Sequence, residues 1–237
     1  FEIYGYIFHF SLLFLLAFSI IKFEFKPSIF QTLFSKMGGN MLIQYLIKQS
    51  RNPSGLVGRV ITNIWSSYFK ELSLWAIKQT TIPNNSRILE VGYGGGSTIK
   101  NLLALDKNLD IHGIDISKES YQTAKRMLLK SIDNDSVQLM VGNVENLPYQ
   151  NHYFDLVFAI QTHIFWKDLK ESFQEIYRVM SNHSILIIAS EKEKIKYHMT
   201  DYGTSSELSQ LLTSIGFSKI EERQNHKWVL YIVIKRH

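Results

Sequence analysis

The stretch ILEVGYGGGSTIK, residues 88–100, places four glycines within five positions directly after a short apolar run. Ile88 to Val91 has the composition of a buried parallel strand, and from Ser97 the apolar residues recur at helical spacing. The glycines therefore lie on a turn from a strand into a helix. At such a turn an open α/β sheet meets its ligand, and glycine lets the backbone approach that ligand closely.

Strands and helices alternate along most of the chain around this turn. Strands are predicted at 87–91, 110–115, 137–141, 154–160, 184–190, 217–223 and 228–235. Helices are predicted at 97–105, 117–130, 167–180 and 205–215. This pattern favours an α/β fold with a Rossmann-like, doubly wound and mostly parallel seven-stranded sheet, preceded by N-terminal covering helices. Only Gln224, Asn225 and His226 join the last two strands, so these strands are predicted to form an antiparallel hairpin.

The first 36 residues differ from the rest of the chain. Residues 3–21 are almost continuously apolar and lysines follow them, which is typical of a membrane anchor that leaves the remaining chain on the cytoplasmic side. Because the first Met is Met37, a mis-assigned start explains the segment equally well. A cleaved signal peptide fits less well, since no basic region precedes the apolar run. Three parts are expected: a hydrophobic segment 1–36, a helical lid 37–80 and a core 81–237, the last two forming one domain.

The composition is that of an ordinary globular protein, with 45% hydrophobic and 20% charged residues. The formal net charge of +5 arises from lysines interspersed with acids, so no nucleic-acid partner is predicted. The chain contains no Cys, which excludes disulfides, cysteine nucleophiles and thiolate metal sites. We predict no metal site, a cytoplasmic location that is tethered to a membrane only if residues 1–36 are an anchor, and no particular oligomeric state.

The glycine pattern discriminates between three kinds of nucleotide-binding turn. A dinucleotide fingerprint that begins at Gly92 requires a third glycine where this chain has Ser97. A Walker phosphate loop requires a Gly-Lys-Ser/Thr ending, which this turn lacks. The pattern acidic-x-G-x-G-x-G is complete, with Glu90 followed by Gly92, Gly94 and Gly96. In this pattern the chain resembles the class I S-adenosylmethionine-dependent methyltransferases.

Later segments strengthen the resemblance, which extends from about residue 52 to the C-terminus. IHGIDIS places Asp115 at the end of the second strand, where a carboxylate can accept ribose hydroxyls. VGNVENLPY is similar to the family's Gly-Asp-Ala segment, with Asn143 in place of the aspartate that accepts from the adenine amino group. The segments FDLVFAI and ESFQEIYRVM resemble the fourth strand and the following helix. The resemblance implies S-adenosylmethionine as the cofactor and the following residues as its binding site: Glu90, Gly92, Gly94, Gly96, Asp115, Ile116, Asn143, Val144 and Gln161.

The resemblance implies transfer of a methyl group to an O, N or C nucleophile of a small-molecule or lipid-like acceptor. In the family the acceptor pocket opens beyond the fourth strand, which makes Gln161, His163, Phe165 and Trp166 substrate-side candidates. Because histidine ordinarily titrates near neutrality, His163 is the candidate general base, with a satisfied histidine near a helix start as the alternative. Two other functions stay open. One is an NAD(P)-dependent oxidoreductase, and the other is a degenerate nucleoside-binding domain that acts as a partner or scaffold.

The family's glycine-rich turn before the fifth strand is replaced here by Ser181-Asn182-His183-Ser184. Asn tolerates the left-handed backbone better than most residues, so Asn182 is expected to adopt it.

Overall fold

A computed structural model describes residues 54, 55, 58, 62 and 69–236. The hydrophobic segment 1–36 and most of the lid 37–80 lie outside the described residues, so the anchor and the mis-assigned start both stay predictions. None of the helices in the described ranges combines the length and apolar character that a membrane crossing needs.

One sheet organises the described region. Its strands are β1 Arg87–Val91, β2 Asp110–Asp115, β3 Val137–Val141, β4 Phe154–Ile160, β5 Met180–Glu191, β6 Lys219–Gln224 and β7 Trp228–Ile234. They lie in the order β3-β2-β1-β4-β5-β7-β6. The first five strands of the chain pair in parallel, whereas β7 runs antiparallel to both β5 and β6. The predicted mostly parallel sheet with an antiparallel C-terminal hairpin is confirmed.

Helices connect the strands and begin at recognisable capping residues. Those in the described ranges are α1 Lys70–Lys78, α2 Ser97–Leu103, α3 Lys118–Met127, α4 Leu129–Asp133, α5 Leu169–Val179, α6 Lys192–His198 and α7 Ser205–Ile215. The side chains of Ser117 and Asp168 accept the third backbone N–H of α3 and α5. Thr204 forms a capping box with Glu207 at the start of α7. These caps explain why the predicted starts of these three helices are correct to within two residues.

The sheet separates two hydrophobic cores. On β5, Leu186 and Ile188 pack in the core that includes α5 and α7. Ile187 and Ala189 belong to the core on the other face, which includes α1 and α2. Successive side chains of a strand point to opposite faces, so a continuous apolar run is buried on both. The result is a three-layer arrangement of helices, sheet and helices.

Two local features differ from the prediction. Strand β5 begins at Met180, because its pairing with β4 continues through an irregularity in register between Phe154 and Leu156. Within it His183 has the left-handed backbone, with φ of +62°, so the expectation for Asn182 was wrong. Helix α6 was not predicted. It buries only Ile195, which leaves its apolar periodicity too weak to be recognised.

The strand order reverses direction at β1. From β1 the chain proceeds outward through β2 and β3, and then resumes with β4 on the opposite side of β1. In open α/β sheets such a reversal opens a crevice outside the carboxyl ends of the two adjacent strands. The glycine turn after β1 and the residues after β4 therefore face one crevice.

Candidate cofactor-binding site

A cavity of about 380 Å³ opens at this crevice. Its volume lies within the range of about 300–1,000 Å³ that is usual for small-molecule sites. The ends of β1, β2, β3 and β4 all contribute to its walls. The predicted cofactor residues that line it are Glu90, Gly92, Gly94, Asp115, Ile116, Asn143, Val144 and Gln161. The lining does not include Gly96, which lies directly before α2.

Gly92, Gly94 and Gly96 of the turn all have a left-handed backbone, and the first two differ in what surrounds them. Gly92 has φ of +73°, and a Cβ added there would lie 2.1 Å from Oγ1 of Thr162. Packing between the β1 turn and the segment after β4 therefore requires this glycine. Gly94 has φ of +52°, and a Cβ added there would meet no described atom within 4 Å. Gly94 is thus the position at which the bare backbone borders open cavity space.

Asp115, at the end of β2, holds the glycine turn in place. Its Oδ2 accepts the N–H of Gly94 at 2.8 Å, and its Oδ1 accepts the N–H of Ser117 at 2.8 Å. Burial raises the pKa of Asp115 above its ordinary value, while these two hydrogen bonds act in the opposite direction. The Ser120 side chain also bonds to this carboxylate, which leaves acceptor capacity for a hydroxyl from the cavity.

Glu90, at the end of β1, is 2% exposed and lies against the start of α2. The Thr98 hydroxyl and the Ile99 N–H donate to its carboxyl group. Its Oε2 has no hydrogen-bond partner among the described residues. Burial, assisted by the charge of Asp115, raises the pKa of Glu90 to about 8, so the group is largely protonated at neutral pH. A buried polar atom without a partner is costly, and a ligand group in the cavity would satisfy it.

The turn after β3 presents Asn143 and Glu145 as a bonded pair. Nδ2 of Asn143 donates to Oε2 of Glu145 at 2.8 Å, and the backbone N–H of Glu145 donates to Oδ1 of Asn143 at 3.2 Å. Oε1 of Glu145 also accepts the N–H of Asp168 at 3.2 Å. Glu145 lines the cavity but was not among the predicted residues. The available signal was its position two residues after Asn143 within the same turn.

The segment after β4 forms the opposite wall. Gln161 is 6% exposed and has a left-handed backbone with φ of +57°, a conformation that is unfavourable for residues other than glycine. Its Oε1 accepts the N–H of Glu191 at 2.8 Å. Its Nε2 finds no hydrogen-bond partner within the described part of the chain. The amide of Gln161 is therefore held in place on one side and retains a donor for a ligand.

The structure does not bring His163 to the cavity. His163 is 1% exposed and lies outside the lining, with its Nδ1 3.4 Å from Oγ of Ser190 and its ring against the edge of Trp166. Burial lowers the pKa of His163 to about 4, so the imidazole is neutral. A general base must reach the proton that it removes. We therefore assign no proton transfer to His163, and the geometry favours a structural histidine.

Several lining residues precede β1 or were not predicted: Thr62, Phe69, Tyr93, Thr98, Ile160, Thr162 and Lys167. Thr62 and Phe69 belong to the predicted lid. The N–H of Gly55 donates to Oε1 of Glu119 at 2.8 Å and ties this part of the chain to α3. Helical periodicity predicted helices here, but it does not reveal which helical face meets the cavity.

The sequence family described as "methyltransferase domain" matches residues 89–188. The matched span contains the glycine turn, Asp115, the Asn143–Glu145 pair and the segment after β4. This span of the chain is similar to a methyltransferase domain. The sheet places the antiparallel β7 beside β5, which differs from the strand order 3-2-1-4-5-6 of the dinucleotide-binding fold. We therefore set aside the NAD(P)-dependent oxidoreductase.

Known proteins resemble the methyltransferase domain over part of their length. The uncharacterized methyltransferase YdaC of Bacillus subtilis is 30% identical over 109 residues, which cover 46% of this chain and 58% of YdaC. The ubiquinone/menaquinone biosynthesis C-methyltransferase UbiE of Rickettsia prowazekii is 33% identical over 110 residues, or 42% of each chain. The chain thus spans little more than half of the first relative and less than half of the second.

A solved structure shares the fold of the methyltransferase domain. Haemonchus contortus phosphoethanolamine N-methyltransferase 2, in complex with S-adenosyl-L-methionine, superposes with a TM-score of 0.60. The two sequences are 16% identical, and the match covers 70% of this chain and 53% of that one.

The residues of the cavity suit the cofactor on three grounds. Space is open at the Cα of Gly94, where a backbone-bordering ligand is expected. Asp115 retains acceptor capacity for a hydroxyl after its bonds to Gly94, Ser117 and Ser120. Glu90 and Gln161 each retain a buried polar atom that lacks a partner within the described region.

Proposed function

We propose that this protein transfers a methyl group from S-adenosylmethionine to an O, N or C nucleophile of a small-molecule or lipid-like acceptor. One observation carries the proposal: Asp115 fixes the N–H of Gly94, while the Cβ position of Gly94 borders open cavity space. The bound cofactor supplies a methyl group that its sulfonium already activates. The protein then has to bind and align the two reactants and to exclude water.

The cofactor side of the cavity has a group suited to each part of a sulfur nucleoside. Asp115 offers lone pairs to the ribose hydroxyls, and Asn143 offers an amide oxygen to the adenine amino group. Ile116, which is 53% exposed, and the buried Val144 supply apolar surface beside the purine. Glu90 and Gln161 are assigned to the amino-acid part, because each retains an unpartnered polar atom among the described residues.

The acceptor side is assigned to the segment after β4. Ile160, Phe165 and Trp166 give this wall an apolar character, and Lys167 is its one titratable group among the described lining residues. Such a wall suits an acceptor whose nucleophile reacts without a histidine base. The related UbiE is a C-methyltransferase, whereas the H. contortus protein is an N-methyltransferase. For this reason the proposal retains O, N and C as methylated atoms.

The proposed partner is the small acceptor alone. We propose association with the cytoplasmic face of a membrane only if residues 1–36 are a membrane anchor. If that segment is an anchor, a lipid-like acceptor within the membrane becomes the favoured substrate class.

Ligand-dependent thermal unfolding tests the cofactor assignment. S-adenosylmethionine, S-adenosylhomocysteine, NAD and NADP are added separately to the full chain. A ligand at a hundred times its dissociation constant stabilises the folded state by about 2.7 kcal/mol, which raises the unfolding midpoint. We expect the two sulfur nucleosides to raise it and the dinucleotides to leave it unchanged. A rise with the dinucleotides alone contradicts the proposal.

Methyl transfer itself is then measured with labelled S-adenosylmethionine and a panel of phenols, amines, quinols and lipids. Transfer to one chemical class identifies the acceptor. Cofactor binding without transfer to any of them supports the degenerate nucleoside-binding domain instead.

A further inference from the structure

At the position where the resembled family has an aspartate, this chain has the amide of Asn143, and the carboxylate of Glu145 lies nearby. Asn143 stands where the resemblance places the adenine-facing aspartate, and Glu145 follows two residues later. Their side chains are joined by the 2.8 Å bond from Nδ2 to Oε2, and the 3.2 Å bond from the Glu145 N–H to Oδ1 closes the ring. Both residues line the cavity. The carboxylate is therefore one hydrogen bond from the amide, and both residues border the cavity.

The two hydrogen bonds determine the orientation of the Asn143 amide. In the reverse orientation, the amide NH₂ would oppose the Glu145 N–H and the amide oxygen would oppose the carboxylate. Glu145 thus keeps Oδ1 of Asn143 as the acceptor, with one lone pair left after the bond from its own N–H. A hydrogen bond to an ionised carboxylate also polarises the amide and strengthens its oxygen as an acceptor.

The backbone of this turn is anchored independently of the Glu145 side chain. The N–H of Leu147 donates to Oε2 of Glu175 at 2.9 Å. The guanidinium of Arg178 donates to the carbonyl oxygens of Leu147 and Tyr149 at 2.9 and 2.7 Å. Leu147 is itself 2% exposed within the core. Truncation of Glu145 therefore releases the Asn143 amide and the Asp168 N–H, while the turn after β3 keeps its place.

We propose that Glu145 is a positioning residue that determines nucleobase specificity. It holds the Asn143 oxygen ready for the exocyclic amino group of the base and transmits through the amide the negative charge that an aspartate would provide directly. The inference rests on the proposed function, because the base concerned is that of S-adenosylmethionine. In a base that has a carbonyl oxygen in place of the amino group, this oxygen would face Oδ1 of Asn143. Two acceptors cannot form a hydrogen bond, so such a base is rejected.

Calorimetric titration of the full chain with two ligands tests this role. S-adenosylhomocysteine carries the amino group, and S-inosylhomocysteine carries a carbonyl oxygen in its place. For Glu145→Ala we expect S-adenosylhomocysteine to bind about tenfold more weakly, the size expected for one hydrogen bond to a charged network. S-inosylhomocysteine should bind at least as tightly as to wild type, because the released amide can turn its NH₂ toward the carbonyl oxygen of this base. The control Glu171→Ala removes an exposed carboxylate outside the cavity lining and should change neither affinity.

A second substitution separates positioning from simple structural support. In the wild-type background Asn143→Asp places two carboxylates side by side, and their repulsion should weaken S-adenosylhomocysteine binding. In the Glu145→Ala background the same substitution supplies the charge directly and should restore the preference for the amino group. The effect of Asn143→Asp is therefore expected to change sign with residue 145.

The inference is overturned if Glu145→Ala weakens the binding of both ligands equally or of neither. It is also overturned if Asn143→Asp changes the affinity for S-adenosylhomocysteine in the same direction in both backgrounds. If wild type prefers S-adenosylhomocysteine and Glu145→Ala keeps that preference, Glu145 has no such role while the proposed function stands. If the folded wild-type chain binds neither ligand, the proposed function fails together with the inference.

Discussion

At the scale of single residues, burial alone does not distinguish functional from structural polar groups. Lys235 is 1% exposed, but its ammonium donates to the carbonyl oxygens of Tyr177 and Met180 at 2.7 and 2.8 Å. His163 is equally buried and lies outside the cavity lining. Glu90 differs from both because it lines the cavity with an oxygen that has no described partner. An unsatisfied atom at the cavity wall is therefore the more informative sign of a ligand site.

The raised pKa of Glu90 predicts a characteristic pH dependence of stability. The unfolded chain loses this proton near the ordinary pKa of 4.5, whereas the folded protein keeps it up to about pH 8. Between these values the folded state binds more protons, so its stability falls as pH rises. Relative to Glu90→Gln, the wild-type free energy of unfolding should fall by up to about 1.4 kcal/mol per pH unit in this window. Urea denaturation at several pH values measures the difference.

The exposed Glu193 provides the control for this experiment. Glu193→Gln should show the same pH dependence as wild type. A difference between wild type and Glu90→Gln that stays constant from pH 5 to 8 would mean that Glu90 ionises normally in the folded protein.

At the scale of elements, the turn between β1 and α2 combines two requirements in a few residues. The turn must pack against the segment after β4, which leaves no room for a side chain at Gly92. It must also leave space beside Gly94, whose N–H is held by Asp115. Glycine thus serves the fold at Gly92 and, in the proposed function, the ligand at Gly94.

Alanine substitutions at the two glycines should separate these roles. A left-handed backbone costs alanine about 1–2 kcal/mol, and both variants should lose that much stability. Gly92→Ala should lose about 1–3 kcal/mol more, because its Cβ overlaps Thr162. Gly94→Ala should remain the more stable variant yet bind S-adenosylhomocysteine at least about tenfold more weakly, a loss of about 1.4 kcal/mol.

Urea denaturation and calorimetric titration measure these two effects separately. Wild-type affinity in folded Gly94→Ala would show that the ligand does not approach the backbone at this turn. Equal stability of the two variants would show that the contact with Thr162 relaxes without cost.

At the scale of the whole molecule, the carboxyl ends of the parallel strands border the candidate site, and their amino ends make structural contacts. The cavity lies at the carboxyl ends of β1, β2, β3 and β4. At the amino ends of the strands, the N–H of Arg87 donates to Oδ2 of Asp155. The Arg87 guanidinium lies 4.7 Å from the ring centre of Tyr153. His112 packs edge-on against Tyr153 within the same cluster. Burial lowers the pKa of His112, as expected for a histidine that belongs to the core.

This division predicts where a bound cofactor slows hydrogen exchange. At short labelling times, S-adenosylhomocysteine should protect residues 92–98, 115–120, 142–146 and 160–167. The loops at the amino ends of the strands should exchange as in the free protein, namely residues 83–86, 104–109 and 149–153. Short labelling reports local opening rather than global unfolding. Mass-spectrometric exchange measures both sets in one experiment. Protection of the loops at the amino ends alone would place the ligand there and contradict the proposed binding site.

The sequence by itself determined the order and type of most elements, the parallel sheet with its final hairpin, and the glycine turn with Asp115. These features depend on local periodicity, turn chemistry and caps such as Ser117, which act over a few residues. Helix α6 was missed because it buries only Ile195 and its apolar periodicity is weak, and the left-handed His183 was missed because local preference favours Asn182.

Only the tertiary structure decided which side chains share the cavity. Gln161 and His163 are two residues apart at the end of β4, yet Gln161 lines the cavity and His163 packs beside Ser190 and Trp166. The Glu145 carboxylate also reaches the N–H of Asp168 from a different part of the chain. Contacts between residues distant in sequence leave no local periodicity, so they follow from the packing of the sheet and its helices.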